Sequence, residues 1–490
     1  MQVSATYPDH TCIIFTDSIP LFAIFFKLLS PVLPETFQYF GIFGALDFIF
    51  MGGIAAVILR KGTMNKVVCI IGSTFFSFSP YIFQRLYNHT ALASHWLILA
   101  AFALWLYKLY FHTLSRKIMS WGVLLIIASL IHIYFVPMIL IFMLFSSIQD
   151  LLENNGWEQD LIAGLIIVIA DLFLLFTIGA FSSTSAIQGE SLGVFSSNLN
   201  TLWNPMGKGQ ILPDLPYNEG QDEGYGYLGM GIWAMLLISI SILGIYTIRR
   251  FFQYKKDKRN WNRIKAFKDE HAFGICICLT IITSVIIAIS PEVVYNQRRL
   301  FTIPYPDVII KLLSIFRATG RFIWCSCYIL MFISIFGINK FVKKRKAVIL
   351  VIAICLMIQV CDLGWFALWR GKYTPENPER YTLTSERWEE IVKGKSHIVY
   401  IPLDILEKTK GPDAVYEIAN FAIEHDMTVN YFVTARMDDE ILEDRMEDMD
   451  KELTDGVKDK NNLYILDSED TGKNYGMNIE IIDDLIVGYY

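Results

Sequence analysis

Apolar stretches close to twenty residues long recur along the first three quarters of the chain, and polar or basic turns separate them. They run over Thr36 to Leu59, Lys66 to Phe83, Ala91 to Tyr110, Glu158 to Ile178, Leu228 to Ile248, Ala272 to Ser290, Phe322 to Ile338 and Ala347 to Phe366. Each can cross about 30 Å of hydrocarbon as a helix. The stretch from Met119 to Ser147 is interrupted by His132 and Pro137. Read as two short helices meeting near His132, it brings the total to about ten spans.

Lys and Arg fix the sidedness, because loops on the cytoplasmic side carry the positive excess. Arg60, Lys61 and Lys66 mark one such loop, and Lys108, Arg116 and Lys117 the next. The Arg249 to Lys268 cluster and Lys340 to Lys346 complete the set. All four agree only if Met119 to Ser147 crosses twice. The long Phe181 to Tyr227 loop and the C-terminal segment then lie outside. The segment 1–35 reads as external and amphipathic, because Asp17, Pro20, Lys27 and Pro31 make Ile13 to Leu33 a poor lipid-facing helix. No signal-peptide pattern explains its export, so an upstream helix absent from this chain is expected.

After residue 368 the period changes. Short β-branched and aromatic runs at His397 to Ile401, Thr428 to Thr434 and Leu463 to Leu466 read as strands. Pro412 to Glu424 and Met437 to Glu452 read as amphipathic helices. The fold class expected is therefore mainly α: a membrane bundle over 36–368, with a small exoplasmic α/β domain over 369–490. No Gly-rich phosphate loop follows any of its strands.

Composition agrees with two solvents. The 490 residues are 54% hydrophobic and only 18% charged, with a mean hydropathy of +0.41. The whole chain carries −6, yet the residues after Trp369 hold 14 Lys and Arg against 28 Asp and Glu. All eight cysteines precede that tail. Cys276 and Cys278, like Cys325 and Cys327, are two apart and turn to opposite helix faces, which suits small buried hydrophobes better than metal ligands.

Several polar residues stand where a site could be. Asp17, in Phe15-Thr16-Asp17-Ser18-Ile19-Pro20, can serve as a general base or as a helix N-cap before a first-turn proline. Arg85, His89 and His95 flank a very short outer turn. The histidines are six apart, which is not the i, i+4 spacing of metal ligands, and no metal site is expected. His132 and Tyr134 stand where the two short helices meet, a wall of a binding site or a kink satisfied by its neighbours. The outer loop is rich in Gly, Asn and aromatics, including Glu223-Gly224-Tyr225-Gly226-Tyr227, which suits sugar rings; a structured, inert cap is the other reading. Arg317 and Arg321 in Phe316-Arg317-Ala318-Thr319-Gly320-Arg321-Phe322 would share a face if helical, as a fork for phosphate or as side chains snorkelling to headgroups.

Thr16 to Leu21, Phe37 to Gly41, His89 to Leu97, Glu223 to Gly229 and Phe316 to Trp324 together resemble an uncharacterised family of bacterial polytopic membrane proteins grouped with the GT-C glycosyltransferases. The stretch from Val429-Asn430-Tyr431 to Ala435-Arg436 is similar as well. The resemblance implies an active site at the outer face, a polyprenyl-phosphate sugar as donor and a cell-envelope glycan or lipid as acceptor, at the plasma membrane of a bacterium. It implies Asp17, His89 and His95 for the proton work, and Arg85, His132, Tyr134, Glu223, Tyr225, Arg317 and Arg321 for substrate. In that family an acidic residue follows the first helix; here no such helix precedes Met1, and Asp9, Asp17 and Glu35 are the nearest carboxylates. No cofactor is assigned, the bilayer is a partner and nucleic acid is not. A non-catalytic scaffold, or a transporter of envelope glycolipids, is the rival. Asp47 and Asp171 are the obvious deep carboxylates a transporter would use.

Overall fold

The computed structural model describes residues 2–490 except 8, 35–36, 63–64, 182–191, 255–261, 365–380 and 433–438; side chains at 2–6, 9–12, 15, 87–88, 243–254, 262–270 and 439–443 are likewise outside the description. The Arg249 to Lys268 cluster, Glu35 and the Ala435-Arg436 end of the tail motif fall outside it. The chain forms two compact units, one of 17–174 with 187–370 and one of 1–16 and 175–186 with 371–490. The N-terminal sixteen residues thus group with the C-terminal residues 371–490, while the rest of the segment 1–35 lies in the larger unit.

The larger unit is helical. Its helices are α1 (Pro20–Leu28), α2 (Phe40–Gly62), α3 (Lys66–Ser77), α4 (Pro80–Asn88), α5 (Trp96–Leu106), α6 (Leu114–Ile131), α7 (Phe135–Glu153), α8 (Trp157–Thr177), α9 (Met230–Tyr254), α10 (Asn262–Ala288), α11 (Asp307–Ser314), α12 (Ile323–Phe341) and α13 (Arg345–Asp362). Among the described residues six are long and apolar enough to cross a membrane: α2, α6, α7, α8, the His271–Ala288 part of α10, and Thr319–Phe341. A seventh would be α3 with α4, which bend by 44° where Pro80 opens α4. Thr90–Leu106 and Met230–Ile242 are apolar but shorter. Charges at both ends of α13, Arg345 and Lys346 against Asp362, shorten its apolar stretch.

The interruption at His132 is a helix end, as expected. However, α6 and α7 are each full-length, 18 and 19 residues, rather than two short pieces. They fold back on each other, since Lys117 near the start of α6 reaches Asp150 near the end of α7 at 3.4 Å. Around that pair a buried charge network ties the basic end of the bundle. Lys108 Nζ lies 2.6 Å from Asp150 and 3.0 Å from Glu153, and Lys117 also binds Asp160. Charges taken this far from water persist only because each has a hydrogen-bonded counter-charge. Lys61 over the Tyr107 ring and Arg345 on Asn65 place the 60–66, 108–117 and 340–346 loops at this same end.

At the opposite end the loop 192–227 folds over the helix tips. Its fully buried Asn198, Asn200 and Asn204 act as rivets: Asn198 Nδ2 donates to Gln221 Oε1 and the Asn296 carbonyl, and Asn204 Oδ1 accepts from Met206 and Leu215 N–H. Asp362, at the end of α13, accepts from the Tyr227 hydroxyl at 2.6 Å and from the Met230, Gln210 and Ile211 N–H groups. Two 3₁₀ turns then cross, Gln221–Gly224 from the loop and Thr319–Phe322 leading into α12. A Cβ on Gly320 would stand 2.7 Å from Gly224 Cα and 2.8 Å from the Phe195 carbonyl oxygen, so only glycine permits this approach.

In the smaller unit five strands order as β6-β5-β7-β9-β8, from β5 (His397–Ile401), β6 (Thr428–Val429), β7 (Asn462–Leu466), β8 (Asn478–Ile482) and β9 (Leu485–Tyr489). The first three are parallel, joined by the helices Pro412–Glu424 and Asp439–Thr454; β9 pairs antiparallel with both β7 and β8. The β8–β9 hairpin turns on Asp483 and Asp484, both at positive φ. An N-terminal hairpin, β1 (Gln2–Thr6) with β2 (Asp9–Cys12), completes this unit. Tyr7 donates its N–H to the Val429 carbonyl and stacks 3.9 Å from the His397 ring.

Because the Gly224–Gly320 crossing has no room for a methyl group, Gly320→Ala is expected to destabilise the helical unit by about 1–3 kcal/mol. Thermal unfolding in detergent micelles reads this, and an unchanged midpoint would show that the crossing tolerates displacement.

Candidate functional site

Glu223 is the centre of a charged cluster at the end opposite the basic loops. Its Oε2 receives Arg85 Nη2 at 2.8 Å, Arg321 Nε at 2.9 Å and Arg321 Nη2 at 2.8 Å, while its own carbonyl accepts a further Arg85 bond at 3.1 Å. Arg85 and Arg321 are 2% and 8% exposed. One comes from α4 and the other from the 3₁₀ turn before α12, so the loop carboxylate bridges two helix tips. Each guanidinium also lies over a ring, Arg85 5.5 Å from Trp324 and Arg321 4.4 Å from Tyr134. Burial alone would push the Glu223 carboxyl up; Arg321 and Arg85 more than reverse this and hold it far below the usual carboxylate range.

Asp17 joins the cluster by a different route from the one expected. It does not cap α1, whose N-cap is Ile19 in a left-handed conformation without a side-chain cap. Instead its Oδ1 accepts the Ala91 N–H at 3.2 Å, inside the 3₁₀ turn Thr90–Ala93. Burial raises its carboxyl to about 6, and the Ala91 and Thr90 amides, Arg321 and Arg85 recover only part of that cost. His89 stands 3.9 Å from Glu223 Oε1. Burial, then Arg321 and Arg85, lower its imidazole to about 4, so it is neutral at physiological pH. Of these two groups Asp17 has the pKa closer to neutrality.

The remaining predicted residues divide. His95 is fully buried: its Nδ1 shares a 2.7 Å hydrogen bond with the Tyr328 hydroxyl and its ring lies 4.3 Å from Trp324. It is a positioning residue beneath the cluster, not a proton carrier open to substrate. Tyr134 is brought in, its hydroxyl accepting the Ala318 N–H at 2.7 Å, while His132 Nδ1 accepts from the Tyr134 N–H. Tyr225 is enclosed, with Lys208 Nζ 4.2 Å from its ring centre, and serves as a wall rather than an open sugar platform. Arg317 and Arg321 do not share a helix, because α11 ends at Ser314 and a bend follows. Arg317 is exposed over the Phe195 ring at 4.3 Å, and its charge still acts on His89.

Lys208 escapes a reading of the sequence; burial, then Arg85, lower its ammonium to about 8. Nothing in Gly207-Lys208 marks it out in a loop. Asp47, named from sequence as a deep carboxylate, accepts from Ser94 Oγ at 2.6 Å and Trp96 Nε1 at 2.8 Å, the two neighbours of His95. Asp171 accepts from Ser129 Oγ at 2.6 Å. Both deep carboxylates are thus engaged by local donors. Among the described residues no group of three or more His, Cys, Asp or Glu is placed to hold a metal.

Fold and site together define a mainly helical chain with six described helices long and apolar enough to cross a membrane, a small C-terminal sheet-containing domain and a buried arginine–carboxylate cluster at one end of its helical unit. The chain belongs to the family described as a domain of unknown function, DUF6311, whose model matches residues 1–364; the DUF6311 C-terminal domain matches 387–490. No curated protein and no solved structure matches the chain.

Removing the Glu223 charge leaves two buried guanidiniums uncompensated, so Glu223→Gln is expected to cost about 3–5 kcal/mol. The carboxyl is depressed in the folded state. Its contribution is therefore full above the ordinary value of 4.5 and is lost as the pH falls further toward the folded value. Unfolding midpoints of wild type and Glu223→Gln should differ most near neutrality and converge in acid; a pH-independent gap would contradict the ion-pair account.

Proposed function

We propose that this protein is a GT-C-like glycosyltransferase of a bacterial plasma membrane, moving a sugar from a polyprenyl-phosphate donor to a cell-envelope glycan or lipid. In this reading the chain crosses ten times: the six apolar helices, the bent α3–α4 pair, and the shorter α5, α9 and α13. The basic loops then lie in the cytoplasm and the C-terminal domain outside. The observation that carries the proposal is Asp17, held on the Ala91 N–H with its carboxyl raised to about 6 by burial, whose charge interacts with the two guanidiniums that Glu223 orients at the non-basic end of the bundle.

Asp17 takes the proton of an acceptor hydroxyl as its oxygen attacks the anomeric carbon. The bond from that carbon to the donor phosphate breaks, and its electron pair stays on the phosphate oxygen. The phosphate gains one negative charge, which Arg321, Arg85, Arg317 and Lys208 offset. Glu223 holds the first two in place before substrate arrives, so little reorganisation is needed when the charge develops. His89, neutral, donates or accepts a hydrogen bond at the rim; His95 and Tyr134 fix the walls. The aromatic outer loop supplies the roof over the sugar.

One observation favours the rival, a non-catalytic scaffold or glycolipid transporter: Glu223 already compensates Arg85 and Arg321, as a purely structural tie would. The two readings separate on chemistry. With membranes containing the purified chain and a radiolabelled polyprenyl-phosphate sugar, transfer should rise with pH through about 6 and level off above it, following Asp17. Asp17→Asn should reduce the rate by about 10²–10⁴-fold, with thermal stability retained. No transfer by the wild-type chain, or an unchanged rate in Asp17→Asn, sinks the catalytic reading.

A further inference from the structure

Residues 289–318 connect the end of α10 to the turn that opens α12, and both flanking elements are apolar enough to cross the membrane. The connection therefore stands at the level of one membrane face, the face that carries the Glu223 cluster, since Ala318 bonds to Tyr134. It begins with a two-stranded ribbon, β3 (Glu292–Tyr295) with β4 (Arg298–Thr302), and continues into α11.

The surface of α11 is not that of a helix facing water. Over its two turns only Leu313 is buried, while Val308 is 75% exposed and Leu312 56%. Asp307, Lys311 and Ser314, at i, i+4 and i+7, gather in one polar stripe, and Val308, Ile309, Ile310 and Leu312 occupy the rest of the circumference. All of β4 is exposed too, including Phe301 at 58%. Exposed cations stand on the same connection at Arg298, Lys311 and Arg317, and Arg299 pairs with Glu292 at 2.7 Å. Apolar side chains on one side, a narrow polar stripe and nearby cations describe an element lying in the plane of a membrane interface.

We propose that α11 is an interfacial helix, lying in the headgroup region of the outer-end leaflet with Val308 and Leu312 inserted among the acyl chains and Lys311 at the level of the lipid phosphates. Its partner is the phospholipid surface itself. Three features of the connection select that partner over a second protein. Both ends emerge from spanning elements, which fixes its depth; the cations complement phosphate; and the apolar face is convex, on a helix of only eight residues, rather than a groove shaped for a peptide. The inference does not rest on glycosyl transfer and stands equally for a scaffold. It gives the cluster a floor of lipid at its edge, so that a lipid-linked ligand would meet Arg317 without leaving the leaflet.

Spin labelling tests this in the full chain reconstituted in phospholipid nanodiscs. With Cys12, Cys278 and Cys361 replaced by serine, single labels are attached through Asp307→Cys, Val308→Cys and Leu312→Cys. At positions 308 and 312 collisions with oxygen, which concentrates in the acyl region, should exceed those with a water-soluble nickel chelate several-fold; at 307 the order should reverse. Should 308 and 312 collide mainly with nickel, the helix stands in water and the proposal falls. Should both reagents be excluded there, a second copy or a protein partner covers the helix, and it falls equally. Unmodified protein provides the check against label-induced distortion: amide hydrogen exchange over 307–314 should be at least tenfold slower in nanodiscs than in a lipid-free amphipol, and equal rates would overturn the assignment.

Discussion

The non-basic end of the helical unit depends on one buried carboxylate. Glu223 is delivered by a loop, Arg85 by a bent helix pair and Arg321 by the turn opening α12, so three distant parts of the chain converge on a single oxygen, Oε2. Two guanidiniums this deep would repel each other and the apolar surroundings without it. The convergence requires the two 3₁₀ turns to touch through Gly224 and Gly320, and the loop to be held rigid enough to keep them there. Its buried asparagines and Asp362 do that with side-chain bonds to backbone.

Charge separates the two ends of this unit. At the end where the basic loops gather, Lys108 and Lys117 are paired with Asp150, Glu153 and Asp160. The other end pairs its arginines with fewer acids and adds Lys208 and Arg317. The deep carboxylates Asp47 and Asp171 are bound to neutral donors on neighbouring segments, which fits a packed bundle better than an ion pathway.

Much of this architecture is readable from the order of residues. Hydrophobic runs of helix-spanning length are set by composition and local period, and the break at His132 by its position between two apolar runs. In the C-terminal domain, alternation and β-branching placed His397 to Ile401 and Leu463 to Leu466 as strands, and Pro412 to Glu424 as a helix, where β5, β7 and the crossover helix lie. These are local properties, decided within a window of a dozen residues. Arg85 was legible from its place beside a very short turn, Glu223 from an aromatic, Gly-rich loop and Arg321 from its spacing to Arg317.

Their partners were not legible. Asp17 looks like the cap of the helix that follows it, yet it caps a turn more than seventy residues away, because α1 begins at Ile19 without a side-chain cap. Arg317 and Arg321 have the spacing of a helical pair, but the helix ends at Ser314 and the two cations go to different rings. His95 carries the mark of chemistry and proves to be enclosed with Tyr328, while Lys208 carries no mark and is drawn to the cluster. The N-terminal hairpin joins the sheet domain at the far end of the chain, a pairing no local pattern announces. Sequence alone determined which segments are apolar and which residues are too polar for their setting. Tertiary structure decided which of those residues meet, since a side chain's partner depends on long-range packing that no local period encodes.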